Sequence, residues 1–275
     1  MTLGIDIGGT TICLGLVENG RIVKKISVPS FAAGATMEQT LDYLAGQISL
    51  IKTDNTEKIG IGVPSVVDTA AGIVYDAVNI PSWQEVHLKS FLEEKFNCPV
   101  SVNNDANCFT MGAYGVYPEK EKPEVLVGVT LGTGVGMGII DRGRLFNGAN
   151  CGAGELGSLP LRGGIMEDFC SKKFFEDAGT GSKPAALAAQ AGDPDALALF
   201  DQLGENLGEL ICTVLFAYDP SHIAIGGGIA YDYPYFRQAM ENYIRREFPY
   251  HNTVERLHIK VFTGNDIPII GASLI

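Results

Sequence analysis

Two stretches of this sequence follow one plan: an apolar run, a glycine-rich turn, a second apolar run, a second turn and a third run. "LGIDIGGTTICLGLVENGRIV" starts at Leu3, and "VLVGVTLGTGVGMGIIDRGRLF" starts at Val125. Runs of β-formers punctuated by glycine read as strands joined by tight turns, and Asn19-Gly20 between apolar runs is a strong hairpin signal. A meander that recurs suggests a duplicated supersecondary unit, and hence a chain built from two halves. Chance is the rival explanation, because glycine-rich turns between apolar strands are common.

The segments around these meanders alternate in type. Thr36, with Gln39 as its capping-box partner, opens a helix that carries Leu41, Leu44, Ile48 and Ile51 at helical spacing. Short strands are expected at Ile59 to Val63 and Val100 to Val102, with a helix at Ala106 to Ala113. The charged, proline-bearing stretch Tyr117 to Glu124 reads as a surface connection between lobes. Asp195 to Ala217 places Leu197, Phe200, Leu203, Leu207, Leu210 and Leu215 at helical spacing. Beyond it lie a strand at His222 to Ile225, a helix at Tyr235 to Phe248 and a strand at Leu257 to Phe262. The expectation is an α/β protein with two lobes and a cleft between them.

Composition narrows the function. With 275 residues, 46% apolar and 19% charged, the chain has ample material for a packed core. Twenty Lys and Arg against 32 Asp and Glu give a formal charge of −12, a field that repels a nucleic-acid backbone. No signal peptide and no membrane-spanning run is read in the sequence. The six cysteines form no CxxC pair and the four histidines do not cluster with them. The expectation is reduced thiols in a cytoplasmic protein, with no metal cage.

Three glycine-rich turns and one carboxylate carry the chemistry. Asp6-Ile7-Gly8-Gly9-Thr10-Thr11 sets a carboxylate at a strand end, beside a turn whose bare backbone N–H groups form an anion-binding concavity. The Asp can hold a metal-bound water there. Leu131-Gly132-Thr133-Gly134-Val135-Gly136 repeats the design, so the two turns together can grip a polyphosphate from both sides. No Walker lysine follows, and a strand rather than a helix succeeds the glycines, which excludes the P-loop and the dinucleotide fingerprint. Gly226-Gly227-Gly228 offers a third backbone for close approach of a flat base or sugar, or else an ordinary strand-to-helix turn. Asp105, in Asn103-Asn104-Asp105-Ala106-Asn107, is either a helix cap or a base that takes a proton from a substrate hydroxyl, with Asn104 orienting that substrate.

Taken in order, Asp6 to Thr11, Asn103 to Asn107, Leu131 to Gly136, Gly154-Glu155-Leu156-Gly157 and Ile225 to Gly228 resemble the motifs of the ROK family of bacterial sugar kinases and repressors over nearly the whole chain. The resemblance implies the two-lobed, actin-like α/β fold of sugar kinases, Hsp70 and actin, with duplicated ribonuclease-H-like lobes closing on ATP and a hexose. It implies an N-terminal lobe at 1–116, completed by 265–275, and a C-terminal lobe at 117–264. It makes Asp6, Gly8, Gly9, Thr10, Thr11, Gly132, Thr133 and Gly134 the phosphate-binding residues, and Gly226, Gly227 and Gly228 the adenosine loop. Asp105 falls at the catalytic base. Asn79, Asn104, Glu155, Ser158 and Glu167 fall at the sugar site.

The activity so implied is Mg²⁺-dependent transfer of the ATP γ-phosphoryl to the C6 hydroxyl of a hexose, by a cytoplasmic homodimer that binds neither nucleic acid nor membrane. Segments such as "GVPSVVD" and "AYDPSHIAIGGGI" resemble the allose kinase branch more than the glucokinase or N-acetylmannosamine kinase branches, and β-glucoside kinases, which also include relatives lacking the zinc motif, stay open as an alternative. A sugar sensor without catalysis, and an actin-like assembly protein, are the alternatives. Three departures stand out. Ser158 replaces the family's zinc-bound histidine and Leu159 to Met166 replaces its cysteine cluster, so no structural zinc is expected and packing through Leu159, Leu161, Ile165 and Met166 is expected instead. Ser65 replaces the glycine after a proline. The last helix is expected to be short.

Overall fold

The computed structural model describes residues 1–77, 79–149 and 151–275. Its first half runs β1 (Thr2–Ile7), β2 (Thr11–Glu18), β3 (Arg21–Pro29), α1 (Met37–Ile51), β4 (Lys58–Val63), β5 (Val66–Asp68), β6 (Ile73–Tyr75), β7 (Glu85–Val86), α2 (Leu88–Phe96), β8 (Val100–Asn104) and α3 (Asp105–Gly115). The second runs β9 (Val125–Leu131), β10 (Val135–Asp141), β11 (Arg144–Leu145), β12 (Pro160–Leu161), β13 (Gly164–Ile165), α4 (Met166–Cys170), α5 (Lys172–Asp177), α6 (Ser182–Gln190) and α7 (Pro194–Tyr218). It continues with β14 (His222–Gly226), α8 (Tyr233–Glu247), α9 (His251–Arg256), β15 (His258–Val261) and α10 (Asp266–Leu274).

The duplication read from the two meanders is present in the sheets. The first has strand order β3-β2-β1-β4-β8 and the second β11-β10-β9-β14-β15. In each, an antiparallel meander is extended by two parallel strands. The inner parallel strand of each sheet, β4 or β14, is apolar at nearly every position, as burial on both faces requires. Over the first sheet, α1 buries Leu44, Ile48 and Ile51, and its Thr36–Gln39 capping box forms as read. Over the second, α7 buries Phe200, Leu203, Leu207 and Leu210, while Leu197 is exposed. Tyr117 departs from its expected surface role. It is buried, with the Lys260 ammonium 4.7 Å above its ring.

The two halves are joined by helices that cross between them. Helix α10 follows the second sheet in sequence but lies on the first, so close that a Cβ on Gly60 would meet the Ala272 carbonyl oxygen. Helix α3 follows the first sheet and lies on the second, with Thr110 against Gly128 and Gly138. The two helices meet through glycine: a Cβ on Gly271 would land on the Cys108 carbonyl oxygen, and one on Gly112 on that of Ile267. Backbone contact of this kind leaves no volume for a methyl group. We expect Gly271→Ala to destabilise the fold by about 1–3 kcal/mol or more, read as a lowered urea midpoint at unchanged m-value. Because α3 begins with Asp105, this seam fixes where that carboxylate stands. Among the described residues no helix is long and apolar enough to cross a membrane.

Candidate active site

A cleft of about 700 Å³ opens where the two meander turns face each other. Gly8 and Gly9 line it from the first turn, and Gly132, Thr133 and Gly134 from the second. Each turn is closed by its own backbone, with Gly8 N–H donating to Thr11 O at 3.0 Å and Gly132 N–H to Gly134 O at 3.0 Å. Each is also tied to a neighbour. The Ser30 hydroxyl donates to Gly8 O at 2.8 Å, and Lys172 N–H donates to Gly132 O at 2.8 Å. A polar side chain rests on a glycine of each turn: Asn79 stands against Gly9, and Glu167 Oε2 stands against Gly134 while accepting Val135 N–H at 2.7 Å. Glycine at these places is what lets the side chains approach the backbone.

Asp105 stands on the cleft floor at the first residue of α3. The cap of that helix is Asn104, whose Oδ1 accepts from Ala106 N–H at 2.9 Å and Asn107 N–H at 3.3 Å. This assigns the capping role to the neighbour and frees Asp105 from it. Its Oδ1 takes Ala106 N–H at 2.9 Å, and its Oδ2 makes no hydrogen bond to the described residues. Burial pushes the carboxyl up to about 6, opposed by the helix-start N–H groups and assisted by the charge of Glu155. Asp6, at the end of β1, is pushed higher, to about 7, by burial and then by repulsion from Asp105. Lys25 only partly offsets this, and its ammonium is bonded to Asp266 at 2.7 Å.

The remaining residues divide. Asn79, Asn104, Glu155 and Glu167 all line the cleft, although Asn104 commits its amide to capping and to Ser65 O at 3.3 Å. Glu155 is raised by partial burial and by Glu167. Ser158 is not brought in, because the single turn of 3-10 helix at Leu156–Ser158 leaves it exposed outside the lining. Thr10 and Thr11 also stay outside: Thr10 offers its carbonyl to Ser30 N–H, and Thr11 has already joined β2. Gly226 is packed under the Phe109 ring. Gly228 lines a second pocket of about 200 Å³ with Asp6, Tyr231 and Asn265, and Gly227 is shared between that pocket and the cleft, which adjoin also at Asp105 and Thr130. Gly227 has φ 88° with Leu131 backbone beneath it, so no Cβ fits. The sequence reading missed Asp76, a cleft residue held at φ 47°, and it had no cleft role for Ser65, which also lines it.

The segment standing where zinc was not expected is a hairpin. β12 and β13 pair across Arg162-Gly163, and the Arg162 guanidinium reaches Asn206 Oδ1 at 2.8 Å and the Glu209 carboxylate on α7. Met166 is in the core and Leu161 packs against it, whereas Leu159 is exposed, so the expected packing holds in part. Among the described residues, no group of three or more His, Cys, Asp or Glu is placed to hold a metal ion.

Comparison with known proteins gives this geometry a family. The ROK family model matches residues 2–275. A glucokinase of Halalkalibacterium halodurans is 31% identical over 266 residues, covering 83% of this chain and 80% of its own. An N-acetyl-D-glucosamine kinase of Aliivibrio salmonicida is 30% identical over 263 residues, covering 84% of this chain and 85% of its own. The crystal structure of a ROK family glucokinase from Streptomyces griseus, in complex with glucose and AMPPNP, superposes with a TM-score of 0.81 at 26% identity, over 99% of this chain and 97% of that one. A duplicated fold, two facing glycine turns and a family match over the full length agree: the chain belongs to the ROK family, among its sugar kinases.

Proposed function

We propose that this protein transfers the γ-phosphoryl group of ATP to the C6 hydroxyl of a hexose, with Asp105 as the base. The observation that carries this reading is the placement of Asp105 between the two glycine turns, with one oxygen free of hydrogen-bond partners among the described residues. The turns present backbone N–H groups to the phosphates, Gly227 and Gly228 accommodate the nucleoside, and Asn79, Glu155 and Glu167 bind sugar hydroxyls. Closure of an N-terminal lobe at 1–116 with 265–275 onto a C-terminal lobe at 117–264 brings the hydroxyl oxygen toward phosphorus and excludes water. Asp105 accepts the proton as that oxygen attacks, so its charged form is the working form. The pair Asp6 and Asp105, each raised by burial and repelling the other, suits a divalent cation: Asp6 would hold Mg²⁺ through water, and the ion would screen the phosphates.

For the sugar, D-allose is proposed on the segments given above. Glucose and N-acetyl-D-glucosamine, which the names of the two relatives supply, are its competitors. A coupled assay of ADP release across these sugars and mannose tests both levels. Release that requires an added hexose supports the kinase, and the highest kcat/KM identifies the sugar. Release that ignores every hexose would sink the kinase reading in favour of a sugar sensor or an assembly protein.

The enzyme is proposed to work without structural zinc, since Arg162 and Met166 anchor the segment by ion pairing and packing. We expect metal analysis of untagged protein to find substoichiometric zinc, with activity unchanged after chelation and restoration of Mg²⁺. Stoichiometric zinc lost together with activity is the contrary result.

A further inference from the structure

Behind the catalytic residues lies a buried polar cluster that the reaction as described does not use. Asn103, at the end of β8, collects three donors on Oδ1: Asn104 N–H at 2.8 Å, Asn107 Nδ2 at 2.9 Å and the Cys151 thiol at 3.2 Å. Its own Nδ2 donates to Asn147 Oδ1 at 3.2 Å, and Asn107 Nδ2 reaches the same oxygen at 3.3 Å. Asn107 Nδ2 also lies 3.5 Å from Cys151 Sγ. Asn103, Asn107 and Cys151 are each less than 10% exposed.

Two features indicate that this arrangement is imposed rather than incidental. Asn107 Oδ1 is buried without a hydrogen-bond partner among the described residues. Turning the amide over would set its oxygen against the oxygens of Asn103 and Asn147 and give up both of those bonds, with only the Cys151 thiol, already donating to Asn103, left as a donor. The helix thus tolerates an orphan oxygen to keep those donors in place. Cys151 sits at φ 58°, a left-handed conformation unfavourable for a non-glycine residue, and it points its thiol into the cluster.

The cluster joins two pieces of chain that both reach the cleft. On one side, the N–H bound by Asn103 belongs to Asn104, the cap of α3, and the next residue is Asp105. On the other, Asn147 O accepts Ala153 N–H at 3.2 Å, and Glu155 follows two residues later. We propose that Asn103, Asn107, Asn147 and Cys151 form a positioning bridge that locks the Glu155 loop to the foot of the Asp105 helix, so that sugar capture and base placement act as one unit. Buried amides and a thiol that share acceptors in this way have few alternative arrangements, which is what a rigid link between two loops requires. These residues are positioning residues, for none touches the cleft. The bridge rests on the kinase reading for the role of Glu155, and its own bonds do not depend on the identity of the sugar.

The test is steady-state kinetics on Asn147→Ala, Cys151→Ala and Cys151→Ser, with Glu155→Ala and the Asn147→Ala/Glu155→Ala double variant. Asn147→Ala and Cys151→Ala are expected to raise the sugar KM and lower kcat, by about ten-fold together, with the KM for ATP unchanged. Cys151→Ser restores most of the loss, because a hydroxyl donates the same bond to Asn103. The double variant loses less than the product of the single losses. Wild-type sugar KM and kcat in folded Asn147→Ala and Cys151→Ala overturn the bridge, even if melting temperature falls, since that is a structural role alone. Equal defects in Cys151→Ala and Cys151→Ser also overturn it, and this comparison decides the matter if Asn147→Ala does not fold. A Glu155→Ala variant that binds sugar normally fails the sugar-site reading instead, a separate result from failure of the bridge.

Discussion

Asp105→Asn is expected to fold and to lose turnover by about 10²-fold to 10⁴-fold, the usual contribution of a positioned general base. The variant keeps size and shape, and the helix keeps its cap, because the capping oxygens belong to Asn104. Stability at neutral pH should therefore not fall. It should rise slightly, since a carboxyl held at about 6 is ionised against the preference of its site. The pH profile supplies an independent signature. In the wild type, kcat/KM should decline as pH drops through about 6, where Asp105 takes up the proton that disables it as a base. In Asp105→Asn the residual rate should no longer follow that titration. A folded variant with near wild-type turnover would remove Asp105 from the reaction and leave it a residue beside a cap.

What was legible in the sequence is what depends on local backbone chemistry. Gly8, Gly9, Gly132 and Gly134 stand in tight turns between apolar strands, and that pattern is written within a few residues; all four line the cleft. The paired meanders gave the duplicated sheets for the same reason. Asn79, Glu155 and Glu167 have no local signature, and only the resemblance pointed to them. Where the reading slipped, long-range packing decided. The helix cap fell one residue before Asp105, Ser158 turned outward on a single helical turn, and Tyr117 was drawn inward from a charged stretch by Lys260 and His222. Asp76 lies beside β5, β6 and β7, strands of two or three residues too short to show any period. The Asn103–Cys151 cluster joins residues 48 positions apart, which no window of sequence displays.

Asp6→Asn should move stability and activity in opposite directions. In the folded wild type the Asp6 carboxyl is held at about 7 against an ordinary value of 3.8, so between those values the native state binds a proton that the unfolded chain has released. Stability from this group is therefore greatest in acid, declines as pH rises from about 4 to about 7, and stays at its lower level above that. Asparagine has no proton to lose and no charge to bury. The variant should thus match the wild type near pH 4 and exceed it increasingly up to pH 8, by on the order of 2–4 kcal/mol at about 1.4 kcal/mol per pH unit, water in the cleft retaining part of the carboxylate's hydration. Turnover should fall by at least ten-fold over the same range if, as proposed, Asp6 holds Mg²⁺ through water, because the group has then lost its charge. Saturating Mg²⁺ with ATP should narrow the stability gap at pH 8, since an ion at the proposed site would relieve the repulsion between Asp6 and Asp105 in the wild type and would have no Asp6 carboxylate to relieve in the variant. Urea denaturation at pH 4.5, 6 and 8, with and without Mg²⁺ and nucleotide, reads all of these. A constant gap across pH would mean that Asp6 is solvated and ordinary, and a variant both less stable and fully active would place the cation elsewhere.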